Sequence, residues 1–226
     1  MNSLAIRIFR LHNHHHLKVA RLQKPASHIS SSFLRGHLQL YSNNNNNNMS
    51  ATTHDFPPAK VQAIAREIAG LLKERNETVC LAETAAGGIV SSSLLAQPGA
   101  SKFYRGGLTL YTLESRVAFA GWTQANTDAY RGPTPDVVSG LAKNVSSKLG
   151  ATYTLCESGT AGPTGGNTPN RTPGYVALAI ATDKGEVFTK ELDTGLGTDR
   201  EANMVAFAHE GLLFLKEVIG KAGGKL

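Results

Sequence analysis

The chain is predicted to fold as an α/β protein: a three-layer α/β/α sandwich on a mixed, mostly parallel sheet of about five strands. Three observations predict it. Helical and strand-like patterns alternate along the body of the chain, the order that builds a sheet covered by helices. The runs 78–82 and 151–156 are apolar and β-favouring and read as buried strands. Near the C-terminus two further strand-like runs, 175–181 and 187–193, flank Asp183-Lys184-Gly185, a hairpin signal.

Each element has its own justification. Pro57-Pro58 opens a helix in which Val61, Ile64, Ala65, Ile68, Leu71 and Leu72 repeat at helical spacing to about residue 74. The first strand, 78–82, follows. Gly87-Gly88 leads into a short helix over 89–96, closed by Pro98-Gly99. A strand is expected over 104–111 and a helical turn from Leu113. Thr134-Pro135 reads as an N-cap followed by proline at the first helical position, and Gly150 as that helix's stop. The strand at 152–156 precedes a glycine-rich loop. Thr198-Asp199-Arg200-Glu201 reads as a capping box. It starts a last helix with Val205, Ala208, Leu212, Leu215 and Ile219 on its core side.

Composition narrows the function. The 226-residue chain carries a formal charge of +6. All of that excess lies before Asp55, where Arg7, Arg10, Lys18, Arg21, Lys24 and Arg35 face no acid. The body is balanced, so the charge makes no case for nucleic acid. No apolar run has membrane-spanning length, and no membrane partner is expected. Cys80 and Cys156 fall in buried strands and read as small core residues of a reducing compartment. No metal site and no cofactor are expected.

Residues 1–48 read as a disordered basic leader or targeting segment, separate from a domain at 49–226. The run Asn43 to Asn48 is low complexity. Before it, basic residues recur at spacings of three and four beside Leu4, Ile8 and Leu11, the pattern of a mitochondrial presequence. Met49-Ser50-Ala51 offers a second start. The protein is expected in mitochondria if the leader is used, and in the cytoplasm if translation starts at Met49.

The chemistry concentrates in two loops at strand ends. One is Glu83-Thr84-Ala85-Ala86-Gly87-Gly88. The other is Ser158-Gly159-Thr160-Ala161-Gly162-Pro163-Thr164-Gly165-Gly166. Four glycines and a proline in the latter will not hold a helix or a strand. Loops with hydroxyls and open backbone amides suit an anion or a developing oxyanion, and two of them suggest one shared site.

These segments resemble a known family. The first is similar to a Glu-Ser-Cys-Thr-Gly-Gly segment, and Pro98-Gly99-Ala100-Ser101 to a Pro-Gly-Ala-Ser turn. Gly106-Gly107 followed by Tyr111 and Glu114 resembles Gly-Gly…Tyr-Ser-Asn-Glu. The second loop is close to Thr-Gly-Ile-Ala-Gly-Pro-Asp-Gly-Gly, Pro173-Gly174-Tyr175-Val176 approximates its Pro-Val/Ile-Gly-Thr-Val step, and Asp199-Arg200 matches an Asp-Arg opening the last helix. Over about residues 58–219 the chain resembles the C-terminal domain of the competence/damage-inducible protein CinA. Bacterial members of that family include nicotinamide-nucleotide amidases.

The resemblance implies an α/β/α fold, a homo-oligomer and a small-molecule nucleotide substrate. It implies hydrolysis of nicotinamide mononucleotide to nicotinic acid mononucleotide and ammonia, without metal. A hydroxyl nucleophile of the first loop, a lysine base near the tyrosine and a hydroxyl of the glycine loop carry the reaction. Here the serine is Thr84, the next two residues are Ala85 and Ala86, the lysine is Arg116 and the loop threonine is Ser158. Arginine stays protonated and cannot serve as a base near neutral pH. A nucleotide-binding member without catalysis is therefore the alternative function.

Thr84, Ser158, Glu83 and Tyr111 are the candidate catalytic residues. Glu83 and Glu157 adjoin the loops as candidate bases, better placed than His54 or His209. Gly87 and Gly88, at a helix start, are expected to hold phosphate, with Arg116 and Arg200 as its cationic partners. Gly159, Thr160, Gly162, Gly165 and Gly166 complete the expected substrate-binding set. The plain alternatives are a tight turn for the glycines, caps or ion pairs for the glutamates, a packed tyrosine and solvated arginines.

Overall fold

The computed structural model describes residues 55–223. The expectations for residues 1–48, and His54, lie outside the described residues. In chain order the elements are α1 (Ala59–Arg75), β1 (Val79–Glu83), α2 (Ile89–Leu95), β2 (Tyr104–Thr109), α3 (Leu113–Phe119), α4 (Gln124–Ala129), α5 (Pro135–Leu149), β3 (Tyr153–Gly159), β4 (Tyr175–Thr182), β5 (Val187–Asp193) and α6 (Arg200–Ala222). The five strands form one sheet in the order β2-β1-β3-β4-β5. The β1–β2 and β1–β3 pairs are parallel, and β3–β4 and β4–β5 antiparallel. Four strands therefore share one direction and β4 alone opposes them, in keeping with the mixed sheet predicted.

Alternation along the strands divides the core into two. Val79 and Leu81 of β1, Leu155 of β3 and Val176, Leu178 and Ile180 of β4 pack under α1, α2 and α6. The alternate residues Cys80, Ala82, Cys156, Ala177, Ala179 and Ala181 face α5, which brings Val138, Leu141, Ala142 and Val145. Strand side chains alternate between faces. After Tyr175 the α5 face of β4 is alanine at 177, 179 and 181, and this lets α5 approach the sheet closely. Both cysteines are free and buried, as expected.

Local chemistry sets most boundaries as predicted. Thr134 caps α5 by accepting from the Val137 amide, Pro135 is its first residue, and Gly150 ends it in the left-handed region at φ 60. Some features differ, among them β2, which ends at Thr109 rather than at 111. Strand β3 runs three residues further than expected, through Glu157, Ser158 and Gly159, because β4 pairs with all of them. Helix α6 is capped by Asp199, which accepts from the Ala202 amide, rather than by Thr198. Helix α4 was not expected; its sequence QANTDA has no apolar periodicity, and a Thr123–Asn126 capping box holds it.

The topology places a crevice. From β1 the chain moves to β2 on one side and then to β3 on the other. The connections after β1 and β3 therefore diverge at the C-terminal ends of these strands, where ligands bind in open α/β sheets. Among the described residues no helix is long and apolar enough to cross a membrane.

Candidate functional site

The crevice holds a cavity of about 290 Å³. Its walls include Ala85, Tyr111, Tyr130, Gly159, Thr160, Gly162 and Gly165. Two guanidinium groups, Arg171 and Arg200, join them, and no acidic residue among the described residues lines it. Arg200 donates to the Gly162 carbonyl at 2.7 Å and to the Tyr111 hydroxyl at 3.3 Å, and lies over the Tyr111 ring. Tyr111 itself is 61% exposed, so it stands at the rim rather than in the core. This is a cationic, aromatic cleft suited to an anion attached to a ring.

Behind the wall lies a hydroxyl pair. Thr84 follows β1 and Ser158 lies near the end of β3, and the parallel register sets them side by side. The Thr84 hydroxyl donates to Ser158 Oγ at 3.1 Å. Both residues are buried, while their neighbours Ala85 and Gly159 line the cavity.

Two buried glutamates hold the loop that carries Thr84. Glu157 Oε1 accepts from the amides of Thr84 and Ala86 at 2.6 and 2.7 Å. Glu83 accepts from the amides of Gly88, Val90 and Ser91 and from the Ser91 hydroxyl. This corrects two expectations. Glu83 has four donors on its two oxygens, which leaves it no lone pair to act as a base. The amides at the start of α2, expected to cradle phosphate with Gly87 and Gly88, already hold the carboxylate of Glu83. Neither glycine lines the cavity.

Arg116 is likewise not a solvated or pocket-lining cation. It is 3% exposed and sandwiched between Trp122 and Tyr130, its guanidinium carbon 5.0 and 4.9 Å from the ring centroids. Its Nε donates to the Leu110 carbonyl at 3.3 Å. Within the crevice it acts on Glu157 by charge, from behind the wall. His209 lies beside Glu210 and Lys190 in a separate cleft on α6, away from the hydroxyl pair. Gly166 is exposed and does not line the cavity; its amide donates to the Arg171 carbonyl.

Glu157 is the electrostatically unusual group. Burial pushes its carboxyl up to about 8, and the charge of Glu83 adds to the rise. The Ala86 and Thr84 amides and Arg116 pull it partly back. Its Oε2 has no hydrogen-bond partner among the described residues. In the unfolded chain the carboxyl ionises near an ordinary 4.5. Between these values the folded state binds the extra proton. The contribution of Glu157 to stability is therefore full below about pH 4.5 and is lost as pH rises toward about 8. Glu157→Gln keeps an oxygen for the two amides and is expected to flatten that slope. Urea melts across this range check it; an unchanged slope in the variant would assign the dependence elsewhere.

Sequence reasoning missed Tyr130 and Arg171. Tyr130 lies four residues ahead of the Thr134-Pro135 helix start and carries no motif of its own. Arg171 lies in a short 3-10 turn, Pro169–Arg171, that the glycine loop folds against. Asn203 was also missed. It is fully buried and its Nδ2 donates to the Ala161 and Gly197 carbonyls, tying α6 to the glycine loop. Among the described residues no cluster of histidine, cysteine and acidic side chains is placed to hold a metal.

Fold and site together define an α/β/α domain with a cationic cleft at the switch point of its sheet. The profile of the CinA C-terminal domain matches residues 61–219, and the chain belongs to that family. A CinA-like protein of Flavobacterium psychrophilum is 31% identical over 175 residues, 77% of this chain and 41% of the relative. One from Shewanella piezotolerans is 35% identical over 124 residues, 55% of this chain and 29% of the relative. The chain thus spans well under half the length of these curated relatives. A competence/damage-inducible protein from Agrobacterium tumefaciens superposes with a TM-score of 0.65 at 23% identity, covering 71% of this chain and 96% of that one. A CinA superfamily protein from Escherichia coli does so at 0.64 and 21%, covering 70% and 90%. At such identities the likeness is one of fold.

Proposed function

We propose that the chain is an amidohydrolase acting on nicotinamide mononucleotide or a similar pyridine nucleotide. The observation that carries this reading is the Thr84–Ser158 hydroxyl pair, directly behind a cleft with two arginines and two tyrosines. The phosphate pairs with Arg171 and Arg200, and the pyridine ring lies against Tyr111. Thr84 Oγ1 attacks the carboxamide carbon. Its proton passes to Ser158 Oγ, whose own proton goes to the departing nitrogen, so ammonia leaves and an ester on Thr84 remains. Water reverses the relay, releasing the carboxylic acid and restoring both hydroxyls. The amide of Ala85, next after the nucleophile and on the cavity wall, faces the developing oxyanion. Glu157 contacts the Thr84 amide rather than its hydroxyl, so it positions the nucleophile.

A second reading has its own observation: Thr84 and Ser158 are 3% and 1% exposed. Burial of this degree favours a pocket that binds a nucleotide without turning it over. Calorimetry with nicotinamide mononucleotide, alongside measured ammonia release, separates the two. Binding with release supports the amidohydrolase, and binding without release supports the second reading. No binding would sink both.

A further inference from the structure

A second cavity of about 340 Å³ adjoins the first, and the two share Tyr130 and Gly132. We infer that the site takes a pyridine dinucleotide, with the pyrophosphate crossing the 130–132 ridge and the second nucleoside seated against Trp122. This rests on the pyridine-nucleotide reading of the first cavity.

The ridge is built for two linked phosphates. Arg171 lines the cavity on one side and Arg131 the cavity on the other. Arg131 is held there by bonds from Nη1 to the carbonyls of Asp128 and Tyr130, at 2.7 and 2.9 Å. Gly132 lies between them at φ +111, and a Cβ on it would stand 2.9 Å from Arg171 Cγ. A side chain there would push Arg171 off the ridge. Two cations on either side of the ridge match two adjacent phosphate groups.

Beyond the ridge the chemistry changes. The second cavity offers the Trp122 ring, with Asn126 and the Asp136 carboxylate beside it. Arg116 already packs on the ring at 5.0 Å, which holds the indole in place for stacking. An acidic residue repels a further phosphate and accepts from ribose hydroxyls, as acidic residues do in dinucleotide sites. The second cavity therefore suits an uncharged nucleoside.

Gly140 supplies the test. It lines the second cavity, is not in a left-handed conformation, and has open space where a side chain would go. Gly140→Leu fills that cavity from the exposed side of α5 and favours the helix. Thermal unfolding of the variant confirms that it folds. Nicotinamide adenine dinucleotide is expected to bind the parent at least about tenfold more tightly than nicotinamide mononucleotide, the scale of one stacked base. The variant is expected to lose that advantage and keep its affinity for the mononucleotide. Asp136→Asn is expected to lower dinucleotide affinity alone. Equal affinity of the parent for both ligands, or an advantage that survives Gly140→Leu, would overturn the inference and leave the mononucleotide site standing. Failure of both ligands to bind overturns the underlying reading as well.

Discussion

Thr84→Ala is expected to reduce ammonia release from nicotinamide mononucleotide by a factor on the order of 10³ or more, the scale of losing a nucleophile. The substitution removes one hydroxyl and leaves Ser158 without its donor. The amide bond from Thr84 to Glu157 is a backbone contact and survives. Stability should fall by only about 1 kcal/mol, the size of one lost neutral hydrogen bond. Nucleotide affinity should hold, because Arg171, Arg200 and Tyr111 are untouched. Thr84→Ser keeps the oxygen and drops a methyl group, so it is expected to retain turnover. Alanine and parent enzymes releasing ammonia at equal rates would remove Thr84 from the chemistry.

The largest effect on stability is expected from Gly159→Ala. A Cβ here would lie 2.6 Å from Phe207 Cε2 and 2.8 Å from the Tyr175 carbonyl oxygen. The ring can turn only within a packed core, and the carbonyl cannot turn at all without breaking its bond from the Thr160 amide. Overpacking against backbone predicts a loss of about 3 kcal/mol, or roughly 6–12 °C in melting temperature for a chain of this size. Because the carbonyl belongs to the strand that positions the glycine loop, ligand affinity should fall with it. A melting temperature within a degree or two of the parent's would show that β4 can shift at little cost.

How far the sequence could be read depended on the range of the interactions involved. Thr134, Pro135 and Gly150 mark their helix because caps act within a few residues. By its sequence Gly159 reads as a strand breaker, yet β4 holds it in β3, and its lack of a side chain is what lets Phe207 approach. Ser158 and Thr84 were legible as candidates through family resemblance and loop chemistry. Their contact is a property of strand register across 74 residues of sequence. The division of labour between two glutamates was not legible. Glu83 and Glu157 each precede a hydroxyl residue, and only the fold shows which amides each one meets. Arg116 misled for the same reason: the rings that enclose it arrive six and fourteen positions later, the first of them just ahead of α4, a helix without apolar periodicity.

The carboxylates beneath the first loop carry a consequence for hydrogen exchange. Glu157 and Glu83 between them engage the amides of Thr84, Ala86, Gly88, Val90 and Ser91. Loop amides normally trade their hydrogens with solvent through small local openings. Opening this loop would take the amide donors away from the buried carboxyl groups of Glu83 and Glu157, a cost that small local fluctuations do not meet. In deuterated water these five amides should stay protonated as long as those of β1 and β3. The loop then behaves as a rigid extension of the sheet.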